Sequence, residues 1–223
     1  MSKKAEYFYI ARFKKAEQEM KLLKDLHHKY VFLRRIQVIS DEIARQMPGN
    51  VKVLDIGCGD GTISKMVMEK KPGVTYQGID IMARPVCAIP FQEYDGTHIP
   101  YADNSFDAAQ YTDVLHHVPD EIFKNLLKET MRVSNKYLVI KDHLWANAFD
   151  FQTLTFMDWV GNAPHGVKVI YNFKTEKFWM ELFDELGLEV VTMNKRIPLY
   201  PGVFNLFFGR GLHFITVLKK KNS

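Results

Sequence analysis

The sequence predicts an α/β protein with buried parallel strands, and three observations carry that expectation. An apolar run (Val51, Val53, Leu54, Ile56) breaks into glycines at 57, 59 and 61, and an apolar-periodic segment follows through Ile63, Met66 and Val67. A second apolar strand, Val74 to Ile79, ends on Asp80. Beyond it, short apolar runs continue to alternate with amphipathic stretches, the pattern of repeated strand–helix units.

The first unit reads as strand, tight turn, helix. Glycine suits such a turn because a residue without Cβ takes positive φ and lets a ligand approach the backbone. The helix that follows directs its free N–H groups and positive end at the same place. A dinucleotide fingerprint sets its third glycine three places after the second, whereas here the spacing is Gly57, Gly59, Gly61. Asp80 lies 80 − 59 = 21 positions past the central glycine, where an acid at a strand's carboxyl end accepts both hydroxyls of a ribose. A nucleoside is implied; a phosphate-binding loop is not.

The stretches VLDIGCGDG, GID and EYDGTHIPYADNSFDAAQYTDVLHHVPD resemble, in order, the sequence motifs of class I (Rossmann-like) S-adenosylmethionine-dependent methyltransferases, in the broad type 11, UbiE-like branch. The resemblance covers Val51 to Ile140. It implies a doubly wound seven-stranded sheet of order 3-2-1-4-5-7-6 with the last strand antiparallel. It also implies S-adenosyl-L-methionine as cofactor and S-adenosyl-L-homocysteine as product. The positions it assigns to the cofactor are Asp55, Gly57, Cys58, Gly59, Asp80, Ile81, Asp95, Gly96, Thr112 and His117. Among these, Asp95 matches the acid that takes the adenine amino group, although an Asp-Gly corner is also a common turn.

The chain has 223 residues, enough for one α/β domain with a helical extension. Residues 1–47 are expected to form that extension, covering the cofactor site, and residues 48–223 the methyltransferase domain. Hydrophobic residues make up 47% and charged residues 25% of the chain, and no apolar run approaches a membrane span. The start, MSKKAEYF, lacks the apolar core of a signal peptide, and the two cysteines, Cys58 and Cys87, form neither a zinc spacing nor a disulfide framework. A cytoplasmic setting is expected. The net charge of +4 is mild, and no nucleic-acid signature stands out.

Taken in order, Ala5 to Met47 has the apolar spacing of two helices, ended by Pro48-Gly49-Asn50. His27, His28 and Tyr30 on that extension are candidates to reach the ligand, with a plain amphipathic helix as the alternative. Ile81 to Pro90 reads as a short irregular helix and a weak strand around Ala88 to Gln92. Ala108 to Thr112 is a strand whose carboxyl end delivers Asp113, Val114, Leu115, His116 and His117. Pro119 to Val133 is amphipathic, and Tyr137 to Ile140 is a strand ending at Lys141-Asp142-His143. Lys174 to Leu186 reads as a helix closed by Gly187, with strands at Leu188 to Met193 and His213 to Leu218.

Between His143 and that helix lies an aromatic insertion, residues 144–173, read as a lid over an apolar acceptor pocket or as a packing layer. Its pocket candidates are Trp159, His165 and Tyr171, together with Tyr30. A second apolar loop spans Asn194 to Gly211.

Methyl transfer from a sulfonium is an in-line displacement, so positioning and exclusion of water dominate, and a base helps where the acceptor is a hydroxyl. The candidate catalytic residues are His116, His117 and His143, with His165 in the lid. With Asp113 and Asp142 these histidines invite comparison with metal-dependent catechol methyltransferases, but their spacings fit no compact ligand motif and no metal is expected. Thr112-Asp113-Val114-Leu115 is not the Asn/Asp-Pro-Pro-aromatic signature of enzymes that methylate exocyclic base nitrogens. The expected reaction is methyl transfer to an O, C or S atom of a small apolar metabolite. The rivals are a methyltransferase for protein side chains or RNA, and a non-catalytic nucleoside-binding protein.

Overall fold

A computed structural model describes residues 31–82, 84–162 and 170–221. The first of the two expected N-terminal helices, and Tyr30 and His165, lie outside them. The described elements are α1 (Leu33–Gln46), β1 (Lys52–Ile56), α2 (Thr62–Lys70), β2 (Thr75–Asp80), β3 (Phe91–Glu93), β4 (Phe106–Thr112), α3 (Asp120–Val133), β5 (Ser134–His143), α4 (Ala148–Asn162), α5 (Glu176–Glu185), β6 (Leu188–Asn194), α6 (Phe204–Phe208) and β7 (His213–Lys220). A single 3-10 turn, Leu115–His117, follows β4.

The strands form a seven-stranded sheet in the order β3-β2-β1-β4-β5-β7-β6. Pairings are parallel from β3 to β5, and β7 runs antiparallel to both β5 and β6. This is the order and the antiparallel strand that the sequence resemblance implies. Successive side chains of a strand point to opposite faces, so the core has two halves. Leu54, Ile56, Ala109 and Tyr111 pack with α3 and α5 through Phe123, Leu127, Trp179 and Phe183. Val53, Ala108, Val139 and Val217 pack with α1 and α2 through Ile39, Ile43 and Val67. Gln110 belongs to the second face too, where it accepts from the Tyr76 hydroxyl at 2.7 Å.

Local chemistry explains the helix ends. In α3, Asp120 and Glu121 sit in the first turn behind Pro119, where negative charge meets the positive end of the helix dipole. The buried face of α3 is Phe123, Leu126, Leu127, Thr130 and Val133, a three-and-four spacing. In α5 the Thr175 side chain accepts from the Phe178 amide at 3.2 Å, an N-cap, and Gly187 takes φ +65° beyond the end.

One expectation is corrected. Residues 81–82 and 84–90 form bends and irregular backbone rather than a helix, because Pro85 and Pro90 deprive the segment of the amides a helix needs, and the strand is the later Phe91–Glu93. Within the insertion, residues 148–162 form helix α4.

Candidate functional site

The chain leaves β1 toward β2 on one side, while β4 lies on the other, so the sheet diverges between β1 and β4 and opens a crevice at their carboxyl ends. The turns after these strands touch: a Cβ at Gly57 would stand 2.6 Å from Val114 Cγ2, and Gly57 has φ +75°. Glycine there is required both by conformation and by space.

On the β1–β2 side, Asp80 is held from two directions. Its Oδ2 accepts from the Gly59 amide at 2.9 Å and its Oδ1 from the Met82 amide at 3.1 Å. The carboxylate is thus fixed at the carboxyl end of β2 with acceptor capacity left for hydroxyls. A Cβ at Gly59 would meet nothing within 4 Å, so the loop backbone faces open space. Ile81, exposed, lies beside Gly96, where an added Cβ would stand 3.1 Å from Ile81 Cγ2. Asp95 accepts through Oδ1 from the Thr97 and His98 amides at 2.7 Å each and from the Thr97 hydroxyl at 2.9 Å, which makes it a turn residue at least. The Cys58 thiol is pushed up by burial and by Asp55.

Asp55 is buried on β1. Ser64 donates to its Oδ2 at 2.5 Å, and its Oδ1 accepts no hydrogen bond among the described residues. Burial, with the charge of Asp80 behind it, pushes its carboxyl up to about 7. An unpaired buried acceptor at the strand end, an open glycine backbone, a fixed acid and an adjoining apolar step fit a ligand with a cationic end, a ribose and a flat base. Thr112 stands at the end of β4, where its hydroxyl accepts from Gln110 at 3.2 Å.

The β4–β5–β7 side is different. Asp113, at φ +57° after β4, pairs with Arg35 of α1 and with Lys141 of β5. Its carboxyl is held far below the usual range: Arg35 and Lys141 together overcome burial. Lys141 is fully buried and shares that carboxylate with Arg35, so burial wins and its ammonium falls to about 8.

Asp142 accepts through Oδ1 from the His143 amide at 2.8 Å and lies 2.7 Å from His116 Nδ1, while its Oδ2 takes the Leu115 amide at 3.0 Å. Asp158 of α4 reaches the same group, its Oδ1 lying 3.5 Å from His116 Nε2 and 3.6 Å from His117 Nε2. Burial would lower His116, but Asp142 and Asp158 raise it to about 9. Burial and the neighbouring His116 lower His117, and burial with Lys141 lowers His143. His213 of β7 stands 3.5 Å from Lys141 and bonds the Phe208 carbonyl at 3.1 Å.

Aromatic rings wall this cluster. Phe173 stacks on His116 with centroids 5.3 Å apart and meets His143 edge-on at 5.5 Å. Phe151 and Trp145 back Phe173, and Trp145 Nε1 donates to its carbonyl at 3.0 Å. The aromatics of the insertion therefore divide. Tyr171, half-buried at φ +57°, joins the inner set. Trp159 does not: it is 55% exposed, with Phe149 and Phe156 also outward. Its place on α4 next to Asp158 turns it away as the acid turns in.

A doubly wound sheet of this strand order, with a glycine turn after β1 and an acid after β2, is the architecture of a class I methyltransferase. The sequence matches the methyltransferase-domain family over residues 24–193, and the chain belongs to that family. S-Adenosyl-L-methionine is its cofactor. Methyltransferase GfsG of Streptomyces halstedii is 30% identical over 95 residues, which are 37% of this chain and 33% of that protein; the chain thus spans about a third of its length. Among solved structures, one chain of the complex of the Haloferax volcanii Trm112 methyltransferase activator aligns with TM-score 0.62 at 14% identity, covering 89% of this chain and 93% of that one. A SAM-dependent methyltransferase of Methanosarcina mazei aligns with TM-score 0.59 at 20% identity, covering 82% and 98%. At these identities the structures speak to fold.

Among the residues expected from sequence, the structure gathers Asp55, Gly57, Cys58, Gly59, Asp80 and Thr112 at one end of the crevice, with Ile81 and Gly96 adjoining. It gathers His116, His117 and His143 at the other. Four members of that second group were not expected: Arg35, Lys141, Asp158 and His213. Lys141 carried a signal, since a lysine continuing a buried four-residue strand must find a counterion. Asp158 carried a weaker one, as an acid within the aromatic run Phe156 to Val160.

Proposed function

We propose that this methyltransferase acts on a small, mainly apolar metabolite, at an O, C or S atom, and that oxygen suits the site best. The observation that supports this reading is the aromatic wall of Phe173, His116 and His143 around a polar floor, beside the turn that touches the glycine loop. An apolar body packs against rings, and a hydroxyl meets imidazole and carboxylate.

S-Adenosylmethionine, when bound, supplies an activated methyl group for in-line displacement. Asp80 would hold its ribose, Ile81 and Gly96 the adenine side, and Asp55 its cationic end. Of the three histidines, His117 is the one with an open edge, its side chain 20% exposed, and it is the one assigned to meet the acceptor. His116 and His143 are buried and position it through Asp142 and Asp158. Helix α1, tied to the β4 turn by Arg35 and Asp113, closes one side of the crevice against water.

The experiment is incubation of the purified protein with methyl-labelled S-adenosylmethionine and separated fractions of cell extract. Label in small apolar molecules is the expected result. Label in protein or RNA instead would overturn the acceptor class.

A further inference from the structure

We infer that His116 Nε2, His117 Nε2 and Asp158 Oδ1 form a binding site for one divalent transition-metal ion, Zn2+ or a neighbour in its series. Their donor atoms lie within 4.8 Å of one another, with Asp158 Oδ1 at 3.5 and 3.6 Å from the two nitrogens. Those separations exceed a good hydrogen bond. They match the edge of a tetrahedron about a metal with bonds of ~2.0–2.1 Å, whose corners stand about 3.4 Å apart.

A second set, His116, Asp142 and His143, also draws together. Its contacts of 2.7, 3.2 and 3.3 Å are hydrogen-bond lengths, and Asp142 Oδ1 already takes the His143 amide. It serves instead as the outer support. His116 Nδ1–H donates to Asp142, which fixes the ring, and the ion would displace the proton on Nε2 and take its place, the carboxylate–histidine–metal arrangement. His117 Nδ1 has no hydrogen-bond partner among the described residues, so no bond there competes for that ring's orientation. Two imidazoles and one carboxylate suit zinc, cobalt, iron or nickel rather than magnesium or calcium.

The spacing of these residues in sequence suggests no ligand set because Asp158 arrives from α4. Three protein donors leave a coordination position open, as in catalytic rather than structural sites. A metal there would polarise an acceptor hydroxyl and lower its pKa, so that His117 would meet the acceptor through the ion. That role rests on the methyl-transfer reading; the binding does not.

The test uses the full chain after dialysis against chelator, without cofactor or acceptor. It is titrated with Zn2+ by calorimetry and with Co2+ by visible absorption, and Asp158→Asn and His117→Gln are titrated alongside. One equivalent of Zn2+ per chain and the intense bands of low-coordinate Co2+ are expected, with affinity falling at least tenfold in each variant that keeps its circular dichroism. A wild-type protein that binds neither ion, or folded variants that bind as tightly as wild type, would overturn the inference. Should Asp158→Asn lose its fold, His117→Gln and the wild-type Co2+ spectrum decide. A protein that fails to bind S-adenosylmethionine yet binds Co2+ at these residues would separate the two proposals.

Discussion

Around the loop after β1, the groups that face the crevice are backbone amides, glycines and two acids, all delivered between Asp55 and Gly96. Around the ends of β5 and β7 they are charged and aromatic side chains delivered by α1, β4, β5, α4 and β7. The first region holds its geometry through hydrogen bonds along the local chain, such as Gly59 to Asp80 and Met82 to Asp80. The second holds it through ion pairs between residues such as Arg35 and Asp113, 78 positions apart. A site built from backbone is insensitive to side-chain identity except where a ligand is gripped. A site built from buried charges depends on every partner at once.

The largest expected effect follows directly. Asp142→Ala removes the counterion of His116 and the acceptor of the Leu115 and His143 amides, so it leaves several buried groups unpaired. A loss of about 3–5 kcal/mol in urea unfolding is expected. A loss below about 1 kcal/mol would mean that the β4–β5–β7 side is not held together by its charges.

Asp55 sharpens the contrast from the other side, as a buried charge in the backbone-built region. Its carboxyl is raised to about 7 from 3.8. The folded state therefore binds the extra proton between those values, and stability contributed by the neutral acid is lost as pH rises through about 7. Histidines and other acids titrate too, so the readout is a difference. The unfolding free energy of wild type minus that of Asp55→Asn should fall between pH 4 and 7, by an amount on the order of 4 kcal/mol. A flat difference would remove Asp55 from its buried setting.

In sequence, the first region was legible because each piece sits within a short window. The strand, the glycines and Asp80 announce a nucleoside crevice on their own, and the fold matched the implied strand order to the last antiparallel strand. The second region was half legible. His116, His117 and His143 stood out as residue types, but their partners did not. In sequence Arg35 is one more cation on a charged helix, and Asp158 one more acid of the aromatic insertion. Long-range pairing decides those roles, and periodicity carries no information about it. The same reason explains Trp159: a run of aromatics gives no indication of which face of α4 packs inward.

A smaller effect is expected for Asp80→Ala, which keeps the fold but deprives the ligand of a charged acceptor. Affinity for S-adenosylhomocysteine should drop by about 1.5–3 kcal/mol, roughly 10- to 100-fold. Unchanged affinity in a folded variant would displace Asp80 from the ribose. The smallest effect belongs to Trp159→Ala, within about 0.5 kcal/mol of wild type in stability, since the ring is 55% exposed. A loss of several kcal/mol would show that the outer face of α4 is covered in solution.

The measurement that bears most directly on the crevice is calorimetric titration of the purified protein with S-adenosylmethionine and S-adenosylhomocysteine, with NAD as control. The geometry predicts micromolar binding of both adenosyl compounds and none of NAD, because Asp80 would receive a ribose while the glycine loop lacks the phosphate-binding spacing. Binding of NAD in preference, or of none of the three, would contradict the assignment of this crevice to the methyl donor.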